Sequence, residues 1–161
     1  MFKGTSASAG IGIGKAVIVE EAELVITRNE VADAEGEIQR FKGALEKTIA
    51  ATQKMADDLA SRVGEKEAEI MQGHMMLLSD PMLTGEIENS VRNDKVNSEF
   101  AIENVCNMYA DMFASMGDEL MQQRATDMRD IKVRMQRTLM GLESVDVSLL
   151  PKGSILVAKD L

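Results

Sequence analysis

The chain has 161 residues, enough for one well-buried core with an appendage and too few for two full-sized domains. Its residues are 45% hydrophobic and 28% charged, no apolar run approaches a membrane span, and the formal charge of −9 argues against nucleic acid or an anionic membrane as the main partner. Aromatics make up only 3% and there are 13 Met, so the interior must be aliphatic and thioether, with most of the Met expected inside.

Met1, Phe2 and Lys3 run into Gly4, Thr5 and Ser6 without the hydrophobic stretch of a signal peptide, which makes a cytoplasmic location the default expectation. In the segment Gly10, Ile11, Gly12, Ile13, Gly14, Lys15 the glycines invite a phosphate-binding reading. The spacing fails both specific tests. The third glycine comes two residues after the second and strand-like residues follow, whereas a dinucleotide fingerprint needs three and a helix; a P-loop needs Ser or Thr where Ala16 stands. A tight strand connection is the expectation.

Ala16 to Val19 and Leu24 to Ile26 read as short strands flanking the acidic turn Glu20, Glu21, Ala22, Glu23. From about Asn29 the period changes. Ala34, Ile38, Phe41, Leu45, Thr48, Thr52, Met55 and Leu59 step by three and four, the seam of a long helix that Gly64 ends.

A second helix runs from Glu65 to Leu78, where Ser79, Asp80 and Pro81 interrupt it; Asp80 then caps a continuation with Pro81 at its first position. This segment is apolar on two sides. Ile70, Met71, His74, Met75, Leu78 and Met82 fill one arc expected to face a core, while Met76 and Leu77 lie on another with Glu69, Gly73 and Asp80. Such a second face suits contact with a partner protein.

A third helix starts at Asn97 or Ser98, carries Ala101, Val105, Met108, Met112 and Phe113 as its apolar positions, and closes at Met116 and Gly117. A fourth, from about Asp118 to Leu142, has the stripe Met121, Ala125, Met128, Ile131, Met135, Leu139 and Leu142. Four helices joined by short turns suggest an antiparallel bundle. The texture then reverts: Ser144 to Ser148 is turn-like, Pro151, Lys152 and Gly153 form a turn, and Ile155 to Ala158 reads as a strand that must find a partner.

Cys106 is the only cysteine, so no intrachain disulfide forms; its apolar neighbours Val105 and Met108 make it an inert thiol in a reducing compartment. His74 is the only histidine, which excludes a metal site built on several imidazoles, and its apolar surroundings favour a hydrogen-bonded structural histidine, or one at the edge of an interface, over general base or phosphate carrier. Arg124 and Asp127 lie one helical turn apart with Asp130 three further on, a pattern open to both a solvated ion-pair ladder and a binding face.

The Ala7–Lys15 loop, the block Gly73, His74, Met75, Met76, Leu77, Leu78, the run Arg124 to Asp130 and the closing Ile155 to Leu161 together resemble the N-terminal part of Enzyme I, the phosphoenolpyruvate-protein phosphotransferase of the bacterial sugar phosphotransferase system. The resemblance implies a mainly α fold: a four-helix antiparallel bundle (29–143) inserted into an incomplete α/β swivelling domain (1–28 and 144–161). It implies docking of the phosphocarrier HPr and a parent phosphotransferase that moves phosphate from phosphoenolpyruvate to the HPr histidine. The family's phosphorylated histidine sits in a Gly-Gly-x-x-Ser-His segment that this sequence lacks, so the chain alone is expected to be inactive, without catalytic residues, metal or other cofactor of its own; Mg²⁺ is implied only for the rest of the parent.

Carried onto this sequence, the expected HPr surface comprises Glu65, Glu69, Gly73, Met76, Leu77, Asp80 and Leu83 from the second helical segment, with Met121, Arg124 and Asp127 from the fourth helix. Lys66 and Met82 stand where some family members carry acids. The expected partners are HPr and the remainder of Enzyme I, with an incomplete sheet edge leaving room for a homodimer. A stand-alone helical adaptor for another protein is the alternative.

Overall fold

Why the helices start where they do is visible in their caps. In a computed structural model of the protein, which describes residues 8–19, 23–142 and 150–158, α1 (Ala34–Arg62) opens at Asp33, whose carboxylate accepts from the Gly36 amide. Helix α3 (Pro81–Asp94) opens at Asp80, which accepts from the Met82 amide with Pro81 just inside, and α5 (Glu119–Leu139) opens at Asp118, which accepts from Leu120. Each satisfies an amide that the first helical turn leaves without a partner. Between them lie α2 (Glu65–Leu78) and α4 (Ser98–Ser115).

The described residues therefore hold five helices where four were expected. Pro81 and the extended Asp80 break the second helical segment completely, so 65–94 is two helices. Asn97 begins α4 as expected but does not cap it with its side chain. That side chain instead ties down residues 27–29, accepting from the Asn29 amide at 2.8 Å and donating to the Thr27 carbonyl at 3.1 Å. Beside it, Glu30 and Val96 form an antiparallel bridge.

The chain divides into two compact units, Met1–Glu23 with Ser144–Leu161, and Leu24–Glu143. In the second, α1 packs on α2, α4 on α5, and Ile38, Phe41, Leu78, Leu83, Ile87, Ile102, Met128, Ile131 and Met135 are its largest buried apolar side chains. Leu24 to Ile26 is not a strand. Leu24 and Ile26 turn instead onto a groove lined by Phe100, Val133 and the stem of Lys132, so their alternation records packing on helices without a backbone ladder.

In the first unit β1 (Ala16–Val19) pairs in parallel with β2 (Ile155–Ala158), Ala16 opposite Ile155 and Val19 opposite Ala158. Gly14 passes so close to the Gly153 carbonyl that a Cβ there would collide with it. That approach is the structural reason for one glycine of the Gly-rich segment, and no helix follows it. The expected turns at Glu20 to Ala22 and Ser144 to Ser148, residue Ala7 and the last three residues lie outside the described residues.

The expectation that most Met fill the interior fails. Only Met128 and Met135 are fully buried among the described residues, whereas Met55, Met76, Met82, Met108, Met112, Met116 and Met140 are exposed. Cys106 is fully buried, and desolvation pushes its thiol up to about 12, in keeping with the inert thiol expected. No helix among the described residues is long and apolar enough to cross a membrane.

Candidate functional site

Helix phase decides which of the expected surface residues face solvent. At about 100° per residue, Leu77 falls within about 60° of His74 while Met76 lies about 160° away from it. His74, Leu77 and Leu78 are buried together, and Met76, on the opposite side, is 65% exposed. Glu65 and Glu69 share the exposed arc of Met76. Gly73 stands at its edge, half-buried, and Asp80 is half-buried where it caps α3.

Three expected surface positions are corrected by this packing. Leu77 and Leu83 belong to the hydrophobic core. Asp127 is 4% exposed, held under α2 and accepting from Gln123 Nε2 at 3.0 Å. Two residues assigned to the core arc move the other way. Ile70 is 50% exposed although Ala68, a half-turn before it on α2, is buried; Met82 belongs to the first turn of a new helix, whose phase is not that of α2, and is 69% exposed.

Helix α5 does meet α2 at the expected place. A Cβ on Gly73 would stand 3.4 Å from Asp127 Oδ2 and 3.6 Å from Arg124 Nη1, so Arg124 and Asp127 both lie against the one residue of α2 without a side chain. Arg124 and Met121 are half-buried. The pieces that the structure gathers toward solvent are thus Glu65, Glu69, Met76 and Met82, with Gly73, Asp80 and Arg124 at their margin. Sequence reading missed Met82, and also an exposed Met stripe on α4 at Met108, Met112 and Met116. The four-residue spacing of that stripe was legible, but it is equally the spacing of a core seam.

Beneath this face sits a polar node. His74 Nε2 lies 3.3 Å from Asp127 Oδ1 and 4.0 Å from Asp130 Oδ2. Burial favours the uncharged imidazole and sets its pKa below the usual value, Asp127 opposing this and Arg134 reinforcing it. Arg134 donates to Thr52 Oγ1 of α1 at 2.7 Å.

Comparison with known proteins places these observations in a family. The description "PEP-utilising enzyme, N-terminal" matches residues 3–124. Curated relatives named phosphoenolpyruvate-protein phosphotransferase are 38% identical in Listeria monocytogenes and 36% identical in Bacillus subtilis, each over 99% of this chain and 28% of the relative. This chain therefore spans little more than a quarter of the length of these relatives. A solution structure titled Enzyme I (nEIt) superposes over the whole chain and 66% of its own length with a TM-score of 0.93 at 34% identity. The structure titled N-terminal domain of Enzyme 1 - Nitrogen aligns over 89% of this chain and 59% of its own, with a TM-score of 0.71 at 26% identity.

Proposed function

The chain belongs to the family of PEP-utilising enzyme N-terminal domains, and from that premise we propose that it is the carrier-docking part of a phosphoenolpyruvate-protein phosphotransferase of the Enzyme I kind. In this reading the helical unit is a bundle inserted into an α/β swivelling domain that the rest of a longer cytoplasmic protein completes. The helical unit receives HPr, so that the parent can pass phosphate from phosphoenolpyruvate to the HPr histidine.

The observation that carries the proposal is the exposed arc of α2. Met76 lies on the same exposed arc as Glu69 and Glu65, about two and three turns along it, so an apolar anchor and carboxylates line one face of a chain of net charge −9. Such a face fits a carrier that is basic around its own reactive residue: the acids steer the encounter and the thioether supplies a dry centre. Met82 extends the apolar surface and Asp80 the acidic one. Leu77, Leu83 and Asp127 support the face from below.

Calorimetric titration of HPr into the chain tests this. One-to-one binding is expected, weakening as salt shortens the Debye length from about 10 Å at 0.1 M to about 3 Å at 1 M. No measurable binding at low salt would refute the docking role.

A further inference from the structure

His74 offers a buried nitrogen to two carboxylates without being bonded to either. The side chain is 4% exposed, and Nε2 approaches Asp127 Oδ1 to 3.3 Å and Asp130 Oδ2 to 4.0 Å, yet neither ring nitrogen makes a hydrogen bond. Buried imidazole nitrogens are normally paired, because leaving one without a partner costs stability. We propose that His74, Asp127 and Asp130 form a binding site for a divalent transition-metal ion of the Zn²⁺ class.

The three ligand atoms lie within 4.8 Å of one another. Bonds of about 2.0–2.2 Å to nitrogen and oxygen place tetrahedral ligands about 3.3–3.5 Å apart. The His74–Asp127 separation already meets that distance, and Asp130, whose side chain is 59% exposed, closes the remaining gap by a small change of rotamer. Its exposure also gives the ion a route in from solvent, where water completes the coordination.

The carboxylate of Asp127 is held in place by a neighbour on its own helix. Gln123 donates to Asp127 Oδ1 at 3.0 Å, which fixes the carboxylate while leaving it lone pairs to give. Burial keeps the imidazole uncharged, the form a metal requires. The Arg134 cation nearby works against any second positive charge, and the imidazole nitrogen favours ions that bind nitrogen strongly over Mg²⁺, which prefers an oxygen octahedron. His74 comes from α2, and Asp127 and Asp130 lie one turn apart on α5, so a bound ion would staple the two helices beneath the Met76 face.

The sequence carries one histidine, so its ring resonances report on this site alone. The test is to add Zn²⁺ to untagged protein with an isotope-labelled imidazole, in parallel with Asp130→Asn, which alters an exposed carboxylate and leaves the core intact. Expected are saturable one-to-one shifts of the His74 nitrogens, direct cadmium–nitrogen coupling when Cd²⁺ replaces Zn²⁺, and affinity about tenfold or more weaker in the variant. Folded protein whose imidazole signals ignore Zn²⁺ would overturn the proposal. Equal Zn²⁺ affinity in Asp130→Asn would do the same, since it would place the ion elsewhere. Neither readout involves HPr, so failure here leaves the docking proposal untouched.

Discussion

Arg40 of α1 grips Glu99 of α4 with both guanidinium nitrogens, Nη1 reaching Oε2 at 3.2 Å and Nη2 bonding Oε1, while Nη2 also donates to the Leu139 carbonyl of α5 at 3.0 Å. Three helices far apart in sequence are joined at one point. Burial alone would raise the Glu99 pKa, but the Arg40 hydrogen bond, the Arg40 charge and Asn97 outweigh it and leave the carboxyl below its usual value.

A depressed carboxylate stabilises the folded state above its unfolded pKa and loses that contribution as pH falls through the folded one. Stability is therefore expected to decline in acid below pH 4.5, the ordinary glutamate value from which Glu99 is lowered. Glu99→Gln removes the charge and is expected to cost about 2 kcal/mol at neutral pH. It also flattens the acid decline, though only in part, because Glu103 is lowered as well. Urea unfolding across pH measures both.

Adjacent residues on α2 separate core from surface. Leu77→Ala is expected to cost about 2–5 kcal/mol, since Leu77 is 8% exposed within the main cluster. Met76→Ala, at an exposed position, changes stability by no more than about 0.5 kcal/mol. Under the proposed docking role, Met76→Ala is nevertheless expected to weaken HPr binding by more than about 1 kcal/mol. Unfolding curves and calorimetry on the two variants give the comparison.

Much of this fold was legible because it is written in local chemistry. Asp80 before Pro81, Asp118 before α5, and glycines after α4 and α5 mark helix ends through caps and positive φ, at +69° for Gly117 and +67° for Gly141. Strands 16–19 and 155–158 were likewise visible as short apolar runs. What local chemistry does not encode is helix rotation. Met76 and Leu77 are equally apolar neighbours, and only the position of α1 and α5 decides which of them is buried. The His74 node was illegible for a related reason: its carboxylates, Asp127 and Asp130, come from a different helix far along the chain.

Gly14→Ala would drive a methyl group into the Gly153 carbonyl. The expected result is loss of hydrogen-exchange protection at the Ile155 amide, which donates to the Lys15 carbonyl at 2.9 Å. Amides of α4 and α5, in the other compact unit, keep theirs. Unchanged protection at Ile155 would mean that the backbone relaxes without breaking the strand pair.

Incubation of the chain with phosphoenolpyruvate and Mg²⁺ is expected to leave His74 unphosphorylated, because its side chain is buried against α5 and faces two carboxylates that repel an anionic donor. Phosphorus NMR of the incubated protein checks this; a phosphohistidine signal would make His74 a carrier in its own right.

The docking face is tested most directly by methyl NMR of methionine-labelled protein during titration with HPr. The account predicts that the methyls of Met76 and Met82 shift and saturate together while buried Met128 and Met135 stay in place. Saturating shifts that spare Met76 and Met82, or no shifts at all, would contradict it.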